Sequence, residues 1–211
     1  MSFFDLTLPI ENGMTYYPGD PEPRIARAAV EPPWMVSELH LGSHTGTHMD
    51  AARHNRPGAT AIDGYPVERF VVPGVVVAVP DLADDQPITW AMVEPGLARL
   101  PSGGAAVLFT GWDRHFRDER CLAHPYLAAE TARGLADAGA GIVGIDAMSP
   151  DSSAQATTHV HETLLGRGVL LVENLTGLER LVPGRLYRFA FLPLRLTGLD
   201  GSPVRAIAWE E

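Results

Sequence analysis

The chain has 211 residues and a formal net charge of -10, and it contains no basic run, which excludes the usual electrostatic footprint of a nucleic-acid binder. It has a single cysteine, Cys121, so an intrachain disulfide is excluded. A domain of this size buries roughly 70% of the surface its unfolded chain would expose, and needs no disulfide. No stretch of about 18 apolar residues occurs, and the first residues lack the basic start of a signal peptide. The expected setting is therefore the cytoplasm, with neither nucleic acid nor membrane as a partner.

Glu38-Leu39-His40-Leu41 alternates like a strand, with His40 an ordinary strand residue. Val71 to Val79 is β-branched, broken by Pro73-Gly74, and reads as a buried strand. Ala83 to Gln86, with Asp84 and Asp85, reads as an exposed loop. Ile88 to Leu100 has helical character but contains Pro95-Gly96. Ala105 to Thr110 is a second strand. Leu127 to Ala138, rich in Ala, Leu and Glu, is a helix stopped by Gly139. Gly141 to Asp146 is a third strand and ends in an acid. Val160 to Leu165 makes one or two helical turns. Val169 to Glu173 is a fourth strand, also ending in an acid, and Leu186 to Leu192 alternates as a fifth. The 21 glycines and 18 prolines are spread along the chain, as in many short elements joined by tight turns. The reading is an α/β fold with a mixed sheet, one domain over residues 1–211. Trp34, Trp90, Trp112, Tyr16 and Tyr17 are assigned to the core by default, and Cys121 is read as buried or inert.

Four of the eight histidines fall between positions 40 and 54, in a stretch containing His44-Thr45-Gly46-Thr47-His48-Met49-Asp50 and His54. Imidazole and carboxylate together suit zinc and neighbouring divalent ions. Two ligands at about 2.1 Å from one ion must lie close together. In an extended strand, residues four apart are separated by about 13 Å. A helix is disfavoured, because Thr45, Gly46 and Thr47 are poor helix formers. The chain is therefore expected to turn at Gly46 and fold His44 back toward His48 and Asp50. Glu173 closes an apolar run, where sites in α/β proteins often lie. Asp146 closes its run in the same way, with its role open. His159 and His161 are two apart and are read as sharing a face of an extended segment.

The segment from His44 to His54 resembles the His-x-Gly-Thr-His-x-Asp-x-Pro-x-His signature of the cyclase family, which includes bacterial-type kynurenine formamidases and isatin hydrolases. The similarity continues in Asp5-Leu6-Thr7, Tyr17-Pro18-Gly19-Asp20-Pro21, Thr110-Gly111-Trp112-Asp113, Gly144-Ile145-Asp146 and Gly201-Ser202-Pro203-Val204-Arg205. The resemblance implies a swivelling β/β/α fold, a homodimer or homotetramer, and one or two divalent ions per subunit, zinc first and manganese second. It implies that His44, His48 and Asp50 hold a first metal, and that Asp50, His161 and Glu173 hold a second. His54 falls where the family has its acid/base histidine. Tyr17 falls where the formamidases often carry a substrate-contacting tryptophan. Ala52 departs from the motif proline.

A divalent ion lowers the pKa of bound water toward about 7 and polarises a carbonyl. An imidazole, with an ordinary pKa of about 6.5, is matched to moving a proton to a leaving nitrogen. The implied chemistry is hydrolysis of a small amide, with N-formylkynurenine the first choice of substrate. Isatin-like lactams or cyclic imides are the alternative, and a non-catalytic metal-binding protein the different-class reading. Two dipositive ions against Asp50 and Glu173 leave about +2, which favours an anionic substrate.

Overall fold

Valine-rich and alternating stretches build one sheet, and that sheet sets the frame for everything else. The structure is a computed structural model that describes residues 2–210. Its strands are β1 (Phe3–Asp5), β2 (Arg24–Arg27), β3 (Ser37–His40), β4 (His48–Asp50), β5 (Val71–Ala78), β6 (Pro87–Ile88), β7 (Ala105–Phe109), β8 (Tyr126–Leu127), β9 (Ile142–Ile145), β10 (Leu170–Glu173), β11 (Leu186–Pro193) and β12 (Gly201–Trp209). The α-helices are α1 (Trp90–Val93), α2 (Ala129–Asp137) and α3 (His159–Gly166).

Eight strands form a mixed sheet in the order β1-β12-β11-β5-β7-β9-β10-β4, and β4 also pairs with β12. Seven of them therefore close a ring, which removes most of the open edge. The pairs β5–β7, β7–β9 and β9–β10 are parallel. The remaining pairs in the ring are antiparallel. Closure depends on β12. Its first residues, Gly201 to Pro203, pair with β4, while Val204 to Trp209 pair with β11.

Side chains alternate between two cores, as the two-residue period of a strand requires. Val72, Val76, Val107, Ile142, Leu170 and Val172 point into the ring with Met49, Phe189 and Phe191. Val75, Val77, Leu108, Val143, Ile145 and Leu171 point outward, where α2 and α3 cover them with Leu135, Val160 and Leu164. Truncating one such fully buried leucine to alanine costs roughly 2–5 kcal/mol.

The five strands expected from the sequence are present. The helix over Leu127 to Ala138 appears as α2 and is closed by Gly139 at φ 84°. The helix expected over Ile88 to Leu100 is only α1 followed by a 3-10 turn at Glu94–Leu97, because proline and glycine interrupt its hydrogen-bond ladder. Three aromatic assignments are corrected, Tyr17 among them, since it is exposed at a cavity. Trp34 is 72% exposed beyond the β2–β3 hairpin and Tyr16 is 39% exposed, whereas Trp112 is core. The loop at Ala83 to Gln86 is also less free than expected, since Asp85 accepts hydrogen bonds from Ser152 and Gln155. Among the described residues, no helix is long and apolar enough to cross a membrane.

Candidate metal centre

The expected turn at Gly46 is present, with φ at 64°. It swings His44 back over β4, so that His44 Nδ1 lies 2.7 Å from Asp50 Oδ1. His48 and Asp50 are two apart on β4 and share its outward face, while Met49 between them enters the ring. Glu173 pairs directly opposite His48 across β10 and β4. Gly201 lies opposite Asp50 on the other side of β4. A Cβ at Gly201 would stand 2.8 Å from His44 Cε1 and 2.8 Å from the Met49 carbonyl, so glycine is what lets the His44 ring fit.

His161 enters from the first turn of α3. The helical turns expected over Val160 to Leu165 are present as α3, which begins at His159, so the extended segment expected for His159 and His161 is corrected to helix. The cause is Asp151, whose carboxylate accepts the backbone N–H of Val160 at 3.1 Å and of His161 at 3.0 Å and so caps the helix start. The same carboxylate binds His161 Nδ1 at 2.8 Å, turning Nε2 inward. His159 faces away and bonds the Leu127 carbonyl at 3.1 Å.

The inward atoms converge. His48 Nε2 is 3.3 Å from both Asp50 Oδ1 and Glu173 Oε2. His161 Nε2 is 3.2 Å from Glu173 Oε1 and 3.5 Å from Asp50 Oδ2. Asp50 thus turns one oxygen toward His44 and His48 and the other toward His161. Every imidazole has its far nitrogen held: His48 Nδ1 by the Gly46 carbonyl at 2.9 Å, His161 Nδ1 by Asp151, and His44 Nε2 by Asp200 at 2.9 Å. Such outer partners are what metal-ligating histidines ordinarily have.

His54 and Tyr17 stand at the mouth. The His54 ring lies 4.1 Å from that of His44 and 5.5 Å from that of His161, and its Nδ1 is 3.5 Å from Asp200 Oδ2. His44, His48, His54, His161, Glu173 and Tyr17 line a cavity of about 460 Å³, within the usual range for small-molecule sites. All the residues singled out from the sequence for this centre are brought together. Two were missed, Asp151 and Asp200. Asp151 was signalled by its place in Ser149-Pro150-Asp151-Ser152, a turn sequence ahead of a helix. Asp200 precedes the Gly201-Ser202-Pro203 motif.

The charges are strongly interdependent. Burial opposes charge on His48, yet Asp50 and Glu173 hold its pKa well above the ordinary value. Burial likewise opposes charge on His161, and Asp151, Asp50 and Glu173 raise it well above ordinary. His44 is raised against its burial by Asp50. Conversely, Asp50 is driven well below the carboxylate range against its burial by His44 and His48. Asp200, despite partial burial, falls to about 2 through its bond to His44.

Asp50 Oδ2 and Glu173 Oε1 are buried without an aligned hydrogen-bond partner. A buried carboxylate oxygen left in that state is costly unless something positive faces it. These two oxygens beside His161 Nε2, on carboxylates whose other oxygens face His44 and His48, fit a divalent cation. Ligand atoms of His44, His48 and Asp50, and of Asp50, His54 and His161, lie within 4.8 Å of one another in each set.

Asp146, left open by the sequence, turns away from this centre. It accepts the N–H groups of Thr110 at 2.9 Å and Gly111 at 2.7 Å and the Thr110 hydroxyl at 2.6 Å. Cys121 is buried, and burial pushes its thiol to about 11, so it is inert as read.

The family model described as "Putative cyclase" matches residues 4–152, more than half the chain. A kynurenine formamidase of Paracidovorax citrulli is 33% identical over 97% of this chain and 94% of its own. One from Salinibacter ruber is 31% identical over 98% and 97%. A solved structure described as a potential metal-dependent hydrolase with cyclase activity is 28% identical, covers 100% of this chain and 99% of its own, and has a TM-score of 0.82. Isatin hydrolase A of Labrenzia aggregata shares the fold, with a TM-score of 0.88 at 23% identity over 98% of this chain and 93% of its own. On this match and these identities, the chain belongs to the cyclase family.

Proposed function

We propose that this hydrolase of non-peptide carbon–nitrogen bonds is metal-dependent and cleaves a small aryl formamide, with N-formylkynurenine the first substrate to test. The observation that carries the metal dependence is the pair of unpartnered buried oxygens, Asp50 Oδ2 and Glu173 Oε1, facing His161 Nε2. The formamide comes from the kynurenine formamidase relatives. His44, His48 and Asp50 would hold one cation, and Asp50, His161 and Glu173 a second. When bound, a divalent cation supplies Lewis acidity to a carbonyl and acidifies water. His54 takes a proton from the attacking water and returns it to the leaving nitrogen. Asp200, 3.5 Å from His54 Nδ1, orients that ring. Tyr17 borders the substrate. Water adds to the formyl carbon, the carbon–nitrogen bond breaks, and an arylamine and formate leave.

Zinc is the first metal to try and manganese the second. Protein loaded with each is assayed on N-formylkynurenine, formanilide and isatin. His54→Ala is expected to lower turnover by about 100- to 10,000-fold with metal content unchanged. Turnover of none of the three substrates would overturn the reading and favour a non-catalytic metal protein. Turnover of isatin alone would shift it to lactams. Tighter calorimetric binding of a carboxylate-bearing analogue than of its neutral counterpart tests the preference for an anion. A homodimer or homotetramer also belongs to this proposal. Exposed Trp34, Met35 and Leu39 on and beside the β2–β3 hairpin support it, and sedimentation tests it.

A further inference from the structure

His124 has no part in the chemistry above, yet it is fully buried and its ring is fixed at both nitrogens. Nδ1 lies 3.0 Å from the Pro125 carbonyl, and Nε2 lies 2.7 Å from Ser153 Oγ. A carbonyl oxygen only accepts, so Nδ1 carries the hydrogen. In a neutral imidazole the other nitrogen then only accepts. Burial lowers the His124 pKa and keeps the ring neutral, although Glu173, Asp85 and Asp151 oppose this from nearby. Ser153 must therefore donate its single hydroxyl proton to Nε2, which leaves only lone pairs on Oγ for anything else.

Ser153 lines the same cavity as His48, His161 and Glu173. Its backbone sits in a tied turn. The Ser152 N–H donates to Thr157 Oγ1 at 2.9 Å, and the Thr157 hydroxyl donates to Asp151 Oδ1 at 3.0 Å. The Ser152 hydroxyl donates to Asp85, and the Gln155 side-chain amide donates to Asp85 Oδ2 at 2.7 Å. The Asp85 loop thus holds the serine in place while His124 sets the direction of its proton.

We propose that Ser153 Oγ is an acceptor-only subsite of the cavity, polarised by His124, that takes the N–H of a secondary amide or lactam. A carbonyl or carboxylate placed there meets lone pairs and is turned away. An N-alkylated amide brings no donor and leaves the serine oxygen unmatched. The subsite rests on the amide-hydrolase reading of the cavity and adds a rule to it: the substrate nitrogen carries a hydrogen.

The test is a matched series on metal-loaded wild type and Ser153→Ala, using formanilide against N-methylformanilide and isatin against N-methylisatin. Relative kcat/KM is measured, together with calorimetric Kd for the same compounds on metal-free protein. Wild type is expected to favour the N–H member of each pair by about tenfold, the size of one net hydrogen bond. In Ser153→Ala that ratio is expected to fall close to one in both readouts. A ratio that persists in Ser153→Ala, or that is absent from wild type, overturns the subsite while leaving the amide reading standing. Turnover of neither pair by wild type overturns the amide reading, and the subsite with it. Covalent acylation of Ser153, seen by mass spectrometry, would make the serine a nucleophile and also overturn the acceptor role.

Discussion

Glu173 and Asp146 lie at the same ends of neighbouring parallel strands, and both are buried. Asp146 is met by two backbone N–H groups and a hydroxyl from Thr110 and Gly111. Among the described residues, Glu173 is met by the imidazoles of His48 and His161 and keeps an oxygen without an aligned partner. The turn after β7 supplies Asp146 with donors, whereas among the described residues no backbone N–H bonds the Glu173 carboxylate. An acid closing a buried strand is thus a structural anchor where the neighbouring turn saturates it, and a ligand candidate where it does not.

The largest effect that would break this comparison is at Glu173. Glu173→Gln is expected to cost at least about a thousandfold in kcat/KM, the several kcal/mol a metal ion supplies. Metal analysis should show the ion depleted. Full metal and full turnover in this variant would remove the distinction. Next is Asp146→Ala, which strands buried donors at Thr110 and Gly111. Its expected cost is about 3 kcal/mol of stability in urea unfolding, with the metal content of the folded protein unchanged. Asp151→Asn weakens the hold on His161 and should lower metal affinity by about 10- to 100-fold in a chelator competition.

The comparison is sharpened further through pH. Burial pushes the Asp146 carboxyl up to about 7 from an ordinary 3.8, and the bonds from Thr110 and Gly111 only partly oppose it. Its folded pKa lies above its unfolded one. The stability it contributes is therefore complete below about pH 4 and is lost as pH rises through about 7. The stability difference between wild type and Asp146→Asn is expected to narrow over that interval, read from denaturation midpoints at several pH values. A difference independent of pH would mean that Asp146 is already ionised throughout.

What the sequence reveals follows the distance over which each feature is determined. His44, His48 and Asp50 are legible because a glycine turn and a strand's two-residue period are local facts. The strand ending at Glu173 is legible from its apolar run. Asp200 is not, because it reaches His44 only through the pairing of β12 with β4, a contact spanning most of the chain. Asp151 escapes for a related reason, since it caps a helix that begins eight residues later. Without that cap the sequence places helical turns at Val160 to Leu165 but does not show that the helix already begins at His159. Trp34 misleads because hydrophobicity alone does not say that a hairpin projects it outward.

β12 closes the sheet into a ring, and its consequence reaches into synthesis and turnover. Asp200 and Gly201 follow the other residues of the centre in chain order and sit directly against His44 and Asp50, so the binding centre cannot be finished until β12 has left the ribosome and docked. Under the proposed metal dependence, cation binding and a shut ring would favour each other. An ion present at a hundred times its Kd would add about 2.7 kcal/mol against reopening. Starving cells of metal should accordingly leave β12 loosely latched and the chain an easier target for proteases.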